Sequence, residues 1–135
     1  MSDISNEAVI KNFFNVAATA QDTSEIGKLV SADIDWFIAG DTENVPWIGR
    51  KEGQAGAAQF YSQIREQIKS EDFALGDFFI HGDRVLVPGR LSSRVIKTGK
   101  LIETDFIFDF IVKDGLITRF RMFEDSFAVS QACIV

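Results

Sequence analysis

Residues Leu101 to Asp125, LIETDFIFDFIVKDGLITRFRMFED, decide the fold. Two apolar runs rich in phenylalanine and β-branched residues flank Lys113-Asp114-Gly115, which reads as a β-hairpin. The turn decides which side chains share a face. A two-residue Asp114-Gly115 loop pairs Phe110 with Arg119 and Phe108 with Arg121. A three-residue loop ending in a left-handed Gly115 pairs Phe110 with Thr118, Phe108 with Phe120 and Phe106 with Met122. A one-residue slip inverts every side chain, so the hydrophobic pattern selects the second register. That register collects Thr104, Phe106, Phe108, Phe110, Thr118, Phe120 and Met122 into an apolar floor with Glu124 at its end. It sets Asp109 across from Arg119 on the other face.

Working back toward the N-terminus, Val9, Ile10, Phe13, Phe14 and Ala17 recur at helical spacing, which predicts a helix from about Ser5 to Ala20. Asp22 and Thr23 break it and can cap a short second helix that buries Ile26, Leu29 and Val30. Residues 33 to 39 alternate, with Ile34, Trp36 and Ile38 inward, and read as a strand. Gly40 to Gly53 is a loop, and its apolar Val45-Pro46-Trp47-Ile48 segment is expected to fold back as a lid or plug. Gln54 to Lys69 is a third helix with a stripe of Ala57, Phe60, Tyr61, Ile64 and Ile68. Strands over 73–80 and 84–96 follow, then the opening hairpin, as a meander. The tail from Ser126 is short and apolar and is expected to pack on an edge or a partner.

Helices and strands are segregated, so the class is α+β, a single domain over residues 1–135. A strongly twisted antiparallel sheet wraps the helices as a cone, its mouth where Trp47 and Glu124 meet. The composition agrees. Of 135 residues, 46% are hydrophobic and 13 are phenylalanine, enough for a full core or one opened into an apolar cavity.

A net charge of −6 without a Lys/Arg cluster argues against nucleic acid and anionic membranes. No apolar run approaches the roughly 20 residues of a membrane span. The N-terminus has no basic stretch followed by an apolar core, so no signal peptide is read and the expected compartment is cytoplasmic. One histidine and one cysteine leave little for a soft-metal site, and no metal or cofactor is expected.

The order Ile34-Asp35-Trp36, Pro46-Trp47-Ile48-Gly49, the helix start at Gly53 to Phe60, Thr98-Gly99-Lys100, and Lys113 through Arg121 to Glu124-Asp125 resembles the ketosteroid-isomerase-like, SnoaL-like branch of the nuclear-transport-factor-2-like superfamily. The resemblance spans nearly the whole chain. It implies a cone of helices and curved sheet, a homodimer and an apolar pocket, in a family of isomerases, polyketide cyclases, dehydratases, epoxide hydrolases and non-catalytic binders. Fold alone does not choose among these.

Several known chemistries lose their residues here. The ketosteroid-isomerase base aligns near Ile38 and its oxyanion-side acid near Phe108. The arginine–aspartate pair of limonene-type epoxide hydrolases keeps Arg90 but has Ser92 in place of the acid, and their second aspartate aligns near Met122. The two histidines of scytalone-dehydratase-like sites reduce to His81, which sits in a turn.

Glu124 is then the leading acid/base candidate. It ends an apolar strand face, where desolvation favours its neutral form. Asp125 has the opposite parity and suits a cap, but the resemblance implies acid pairs at this place and keeps it a candidate. Arg90 depends on the turn at Thr98-Gly99: a two-residue loop points it outward, a three-residue loop or bulge points it in, and both stay open. Trp36, Trp47, Tyr61, Phe106, Phe108, Phe120 and Met122 are the candidate binding residues, each with a plain alternative as core. The Asp105, Asp109, Arg119 and Arg121 face, with Ile107 and Ile111 between, reads as a solvated or dimer surface. Three functions fit: a cofactor-independent proton-transfer enzyme acting on an apolar oxygenated small molecule, a non-catalytic carrier of such a molecule, and a structural dimer with a filled cavity.

Overall fold

The computed structural model describes residues 5–135. The part of the N-terminal leader reading that rests on residues 1–4 lies outside them. The chain runs α1 (Asn6–Thr19), α2 (Ser24–Gly27), β1 (Val30–Ile38), β2 (Gly49–Glu52), α3 (Gly53–Gln67), β3 (Ile68–Leu75), β4 (Phe79–His81), β5 (Arg84–Val95), β6 (Leu101–Lys113), β7 (Leu116–Glu124) and α4 (Ser126–Cys133). One curved sheet carries the order β2-β1-β7-β6-β5-β3, with β4 paired to β5, and it does not close on itself. The α+β cone expected from the sequence is the observed class.

Local chemistry sets these elements. Ser5 caps α1 by accepting from the Ala8 N–H at 3.1 Å. The stripe of α1 places Ile10 and Phe13 in full burial against the sheet. Asp22 Oδ1 accepts from the Ser24 N–H at 2.9 Å and starts α2, but Val30 already belongs to β1. The alternation expected in β1 appears as buried Ile34, Trp36 and Ile38. Trp36 lies flat on Phe120, ring centroids 3.6 Å apart and planes 4° apart, at the centre of the core.

Several expectations change. The strand read over 73–80 is two, β3 and β4, and β1 pairs with β7 in parallel within a sheet that is otherwise antiparallel. The hairpin turn is the two-residue Asp114-Gly115 loop, with φ of 53° and 77°, the left-handed pair that matches the twist of its strands. A bulge between Ile111 and Val112 on one strand and Arg119 and Ile117 on the other then restores the apolar parity. The pairs are Phe110 with Phe120, Phe108 with Met122, and Phe106 with Glu124. From Arg119 to Glu124 every side chain keeps its expected face, while Asp109 pairs with Arg121 rather than Arg119, Thr118 leaves the floor for the bulge and Ile117 turns inward opposite Val112.

The predicted loop over 40–53 contains β2, whose Lys51 pairs with Trp36 across the edge of the sheet. The tail is α4, capped by the Asp125 carboxylate at the Ala128 N–H, 3.0 Å away. Thr98 and Lys100 donate to its last carbonyls and hold it along β6. Among the described residues no helix is long and apolar enough to cross a membrane.

Candidate active site

The concave side of the sheet is not filled. A cavity of about 340 Å³ lies between the sheet and the helices. From α1 it is walled by Phe14, Ala17 and Ala18, the two alanines being too small to close it. From α3 come Phe60, Tyr61, Ile64 and Arg65. Trp47 enters from the loop before β2, and Ile38 from the end of β1. The floor is Phe108 and Met122, with Ser70, Phe73, Leu91 and Ser93 on the neighbouring strands. Glu124 and Val129 close the side where β7 passes into α4.

The loop segment expected as a lid or plug is tucked in: Val45, Trp47 and Ile48 are all buried. Its position is fixed by a polar chain. Lys51 Nζ donates to Gln63 Oε1 at 2.7 Å, and Gln63 Nε2 donates to the Pro46 carbonyl at 3.2 Å. No carboxylate accompanies Lys51, and burial pushes its pKa down.

Glu124 is the chemically distinctive group. Its carboxyl makes no hydrogen bond to another described residue and no ion pair, and the walls around it are apolar. Burial, and secondarily the charge of Asp125, push its pKa up to about 7. Tyr61, Ser93 and Trp47 also line the cavity, and among the described residues none of their side-chain polar groups makes a hydrogen bond. None of them is among the sealed orphan atoms, which are Ser31 Oγ, Trp36 Nε1 and Arg119 Nε. Burial pushes the Tyr61 phenol pKa upward, with the Arg65 charge working against it.

The remaining candidates disperse. Trp36 and Phe120 form the stacked pair behind the cavity wall, and the Trp36 indole N–H finds no partner there. Phe106 is one layer off, stacked on Phe73 with ring centroids 5.4 Å apart. Asp125 is spent on the α4 cap. Arg90 points away from the cavity. The β5–β6 connection is longer than either loop considered, since Arg94 pairs with Leu101, but its parity is that of the two-residue loop. Arg90 therefore pairs with Asp105 on the outer face and lies 3.7 Å from the exposed Asp72.

Glu124, Trp47, Tyr61, Phe108 and Met122 are the sequence candidates that meet at the cavity. Phe14, Phe60 and Ile64 were visible as helix-stripe residues and read as core. Arg65, one position past that stripe, carried no signal. Among the described residues no group of three His, Cys, Asp or Glu side chains could hold a metal ion.

The model described as the SnoaL-like domain matches residues 10–120. No curated protein matches the chain. Among solved structures, an NTF2-like protein from Burkholderia xenovorans is 27% identical, with 96% of this chain and 95% of that one covered and a TM-score of 0.86. TerC, co-crystallised with polyporic acid, is 22% identical, with 95% and 97% covered and a TM-score of 0.77. A Bacillus subtilis protein provisionally described as an isomerase is 19% identical, with 96% and 95% covered and a TM-score of 0.78.

Proposed function

The chain belongs to the SnoaL-like family, and on that premise we propose that its cavity binds a small or medium apolar, oxygenated molecule and moves a proton on it. The reaction is of isomerase, cyclase or dehydratase type and uses the chain's own residues. One observation carries this reading: a carboxyl without an internal partner, raised to a pKa of about 7, in an otherwise apolar cavity. A base poised near neutral pH combines a useful fraction of the ionised form with a useful driving force for proton transfer.

In this mechanism ionised Glu124 takes a proton from a carbon beside a carbonyl, and the neutral acid returns it at a second position or to a leaving oxygen. The developing oxyanion needs donors, and Tyr61 Oη, Ser93 Oγ and Trp47 Nε1 are the uncommitted ones. Phe14, Phe60 and Phe108 exclude water from the exchange. A panel of small cyclic ketones incubated in heavy water, followed by proton NMR, tests the reading. The chain should accelerate α-proton exchange of at least one compound, and Glu124→Gln should slow it roughly 100-fold.

The second reading is a carrier, favoured by how little of the lining is polar. Tight binding with no exchange in the natural chain supports it and removes the enzyme. We also propose a homodimer through the outer sheet face, where Leu86, Ile107 and Phe123 stand 37%, 45% and 54% exposed around an arginine–aspartate network. Light scattering at micromolar concentration should give twice the mass of one chain, and a monomer throughout rejects the dimer.

A further inference from the structure

Among the described residues only two charged side chains line the cavity, Glu124 from β7 and Arg65, exposed at the rim, from the last turn of α3. They do not neutralise each other. Arg65 makes no ion pair among the described residues, and its charge is absent from the causes that set the Glu124 pKa, burial and Asp125. It does reach the Tyr61 phenol one turn earlier on α3. Arg65 Nη2 donates to the Ala17 carbonyl at 2.9 Å, tethering the guanidinium to the end of α1 beside Ala18 and Ser70. A guanidinium carries five N–H donors, so most of its capacity is uncommitted.

From this arrangement we infer that the ligand is a carboxylic acid with an apolar ring body, its carboxylate held by Arg65 while the ring lies between Phe14, Phe60 and Phe108. This deepens the small-molecule reading above and rests on it. Arg–carboxylate geometry gives two parallel hydrogen bonds and so orients the ligand as well as holding it. Orientation matters in a cavity whose other walls are almost uniformly apolar, because apolar contact alone would let a ring slide past Glu124. The chain's net charge of −6 gives no long-range attraction for an anion, so recognition has to be local. A volume of about 340 Å³ is near the lower end of small-molecule sites and suits one or two rings.

Binding of 2-naphthoic acid and of its neutral amide to the full chain, followed by tryptophan emission and calorimetry, tests the inference. The acid should bind about tenfold or more tightly than the amide. Arg65→Gln, which keeps a donor for the Ala17 carbonyl, should abolish that preference by weakening the acid about tenfold more than the amide. Arg65→Lys should keep part of it. Equal binding of acid and amide by the natural chain overturns the inference and leaves the cavity reading intact. So does a parallel loss of both in Arg65→Gln, which would make Arg65 only a tether between α1 and α3. Failure of both probes to bind overturns the cavity reading and the inference together.

Discussion

Asp109 and Glu124 stand on adjacent strands of one hairpin and face opposite sides of it. Asp109 faces outward, is only 3% exposed, and is gripped by Arg84 Nε and Nη2 at 2.8 and 2.6 Å, with Arg119 Nε 3.4 Å away. Burial works to raise its pKa, yet Arg84 and Arg119 outweigh it and hold the carboxyl below its ordinary value. Glu124 faces inward, has no cation beside it, and is pushed up to about 7. Asp109 is the more enclosed of the two and Glu124 is partly buried, so desolvation alone does not separate them. The partner does. One is built to stay charged as part of the sheet, the other to change its charge near neutrality.

Breaking the charged side should have the largest effect. Asp109→Ala leaves half-exposed Arg84 and partly buried Arg119 without their shared carboxylate and should cost about 3 kcal/mol in urea unfolding near neutral pH. The contribution of Asp109 is present above its unfolded pKa of 3.8 and is lost as pH falls through its lower folded value.

Glu124 behaves in the opposite sense. Its folded pKa lies above the unfolded value of 4.5, so the native state holds a proton that the unfolded chain has released. Its contribution is fully present below pH 4.5 and is lost as pH rises to about 7. Glu124→Gln removes that loss. It should be about 2 kcal/mol more stable than the natural chain above pH 7, with the gain vanishing below pH 4.5. Denaturant titration at several pH values reads the sign directly.

Arg90→Ala sharpens the contrast at the small end. With its weak outward pair to Asp72, it should change stability by less than about 0.5 kcal/mol and leave exchange and ligand binding alone. A loss of turnover would return Arg90 to the site.

How much of this was legible follows the period-2 rule. Parity along β1, β6 and β7 could be read from the residues, which is why Trp36, Phe108, Met122 and Glu124 face inward as expected. Loop lengths were not legible. The shorter Asp114-Gly115 turn and the bulge after it each shift the pairing by one residue, so the apolar pattern fits the true register and the expected one equally. The cavity was half legible. The stripes of α1 and α3 supply its walls, but a stripe does not say whether it touches the sheet or stands off it. That depends on Ala17 and Ala18 and on Trp47 being pinned through Lys51 and Gln63. For the same reason Phe106 and Phe120, identical in pattern to Phe108, lie outside the cavity. α4 was missed because eight residues, SFAVSQAC, carry little periodic signal, although its Asp125 cap was visible.

The central claim is that Glu124 is an acid/base tuned by an apolar cavity. The most direct measurement is a carbon-13 NMR titration of the glutamate side-chain carboxyls, with Glu124 assigned by its absence in Glu124→Gln. The account predicts a Glu124 midpoint of about 7. A midpoint at the ordinary 4.5 would mean that water reaches the carboxyl freely and would contradict it.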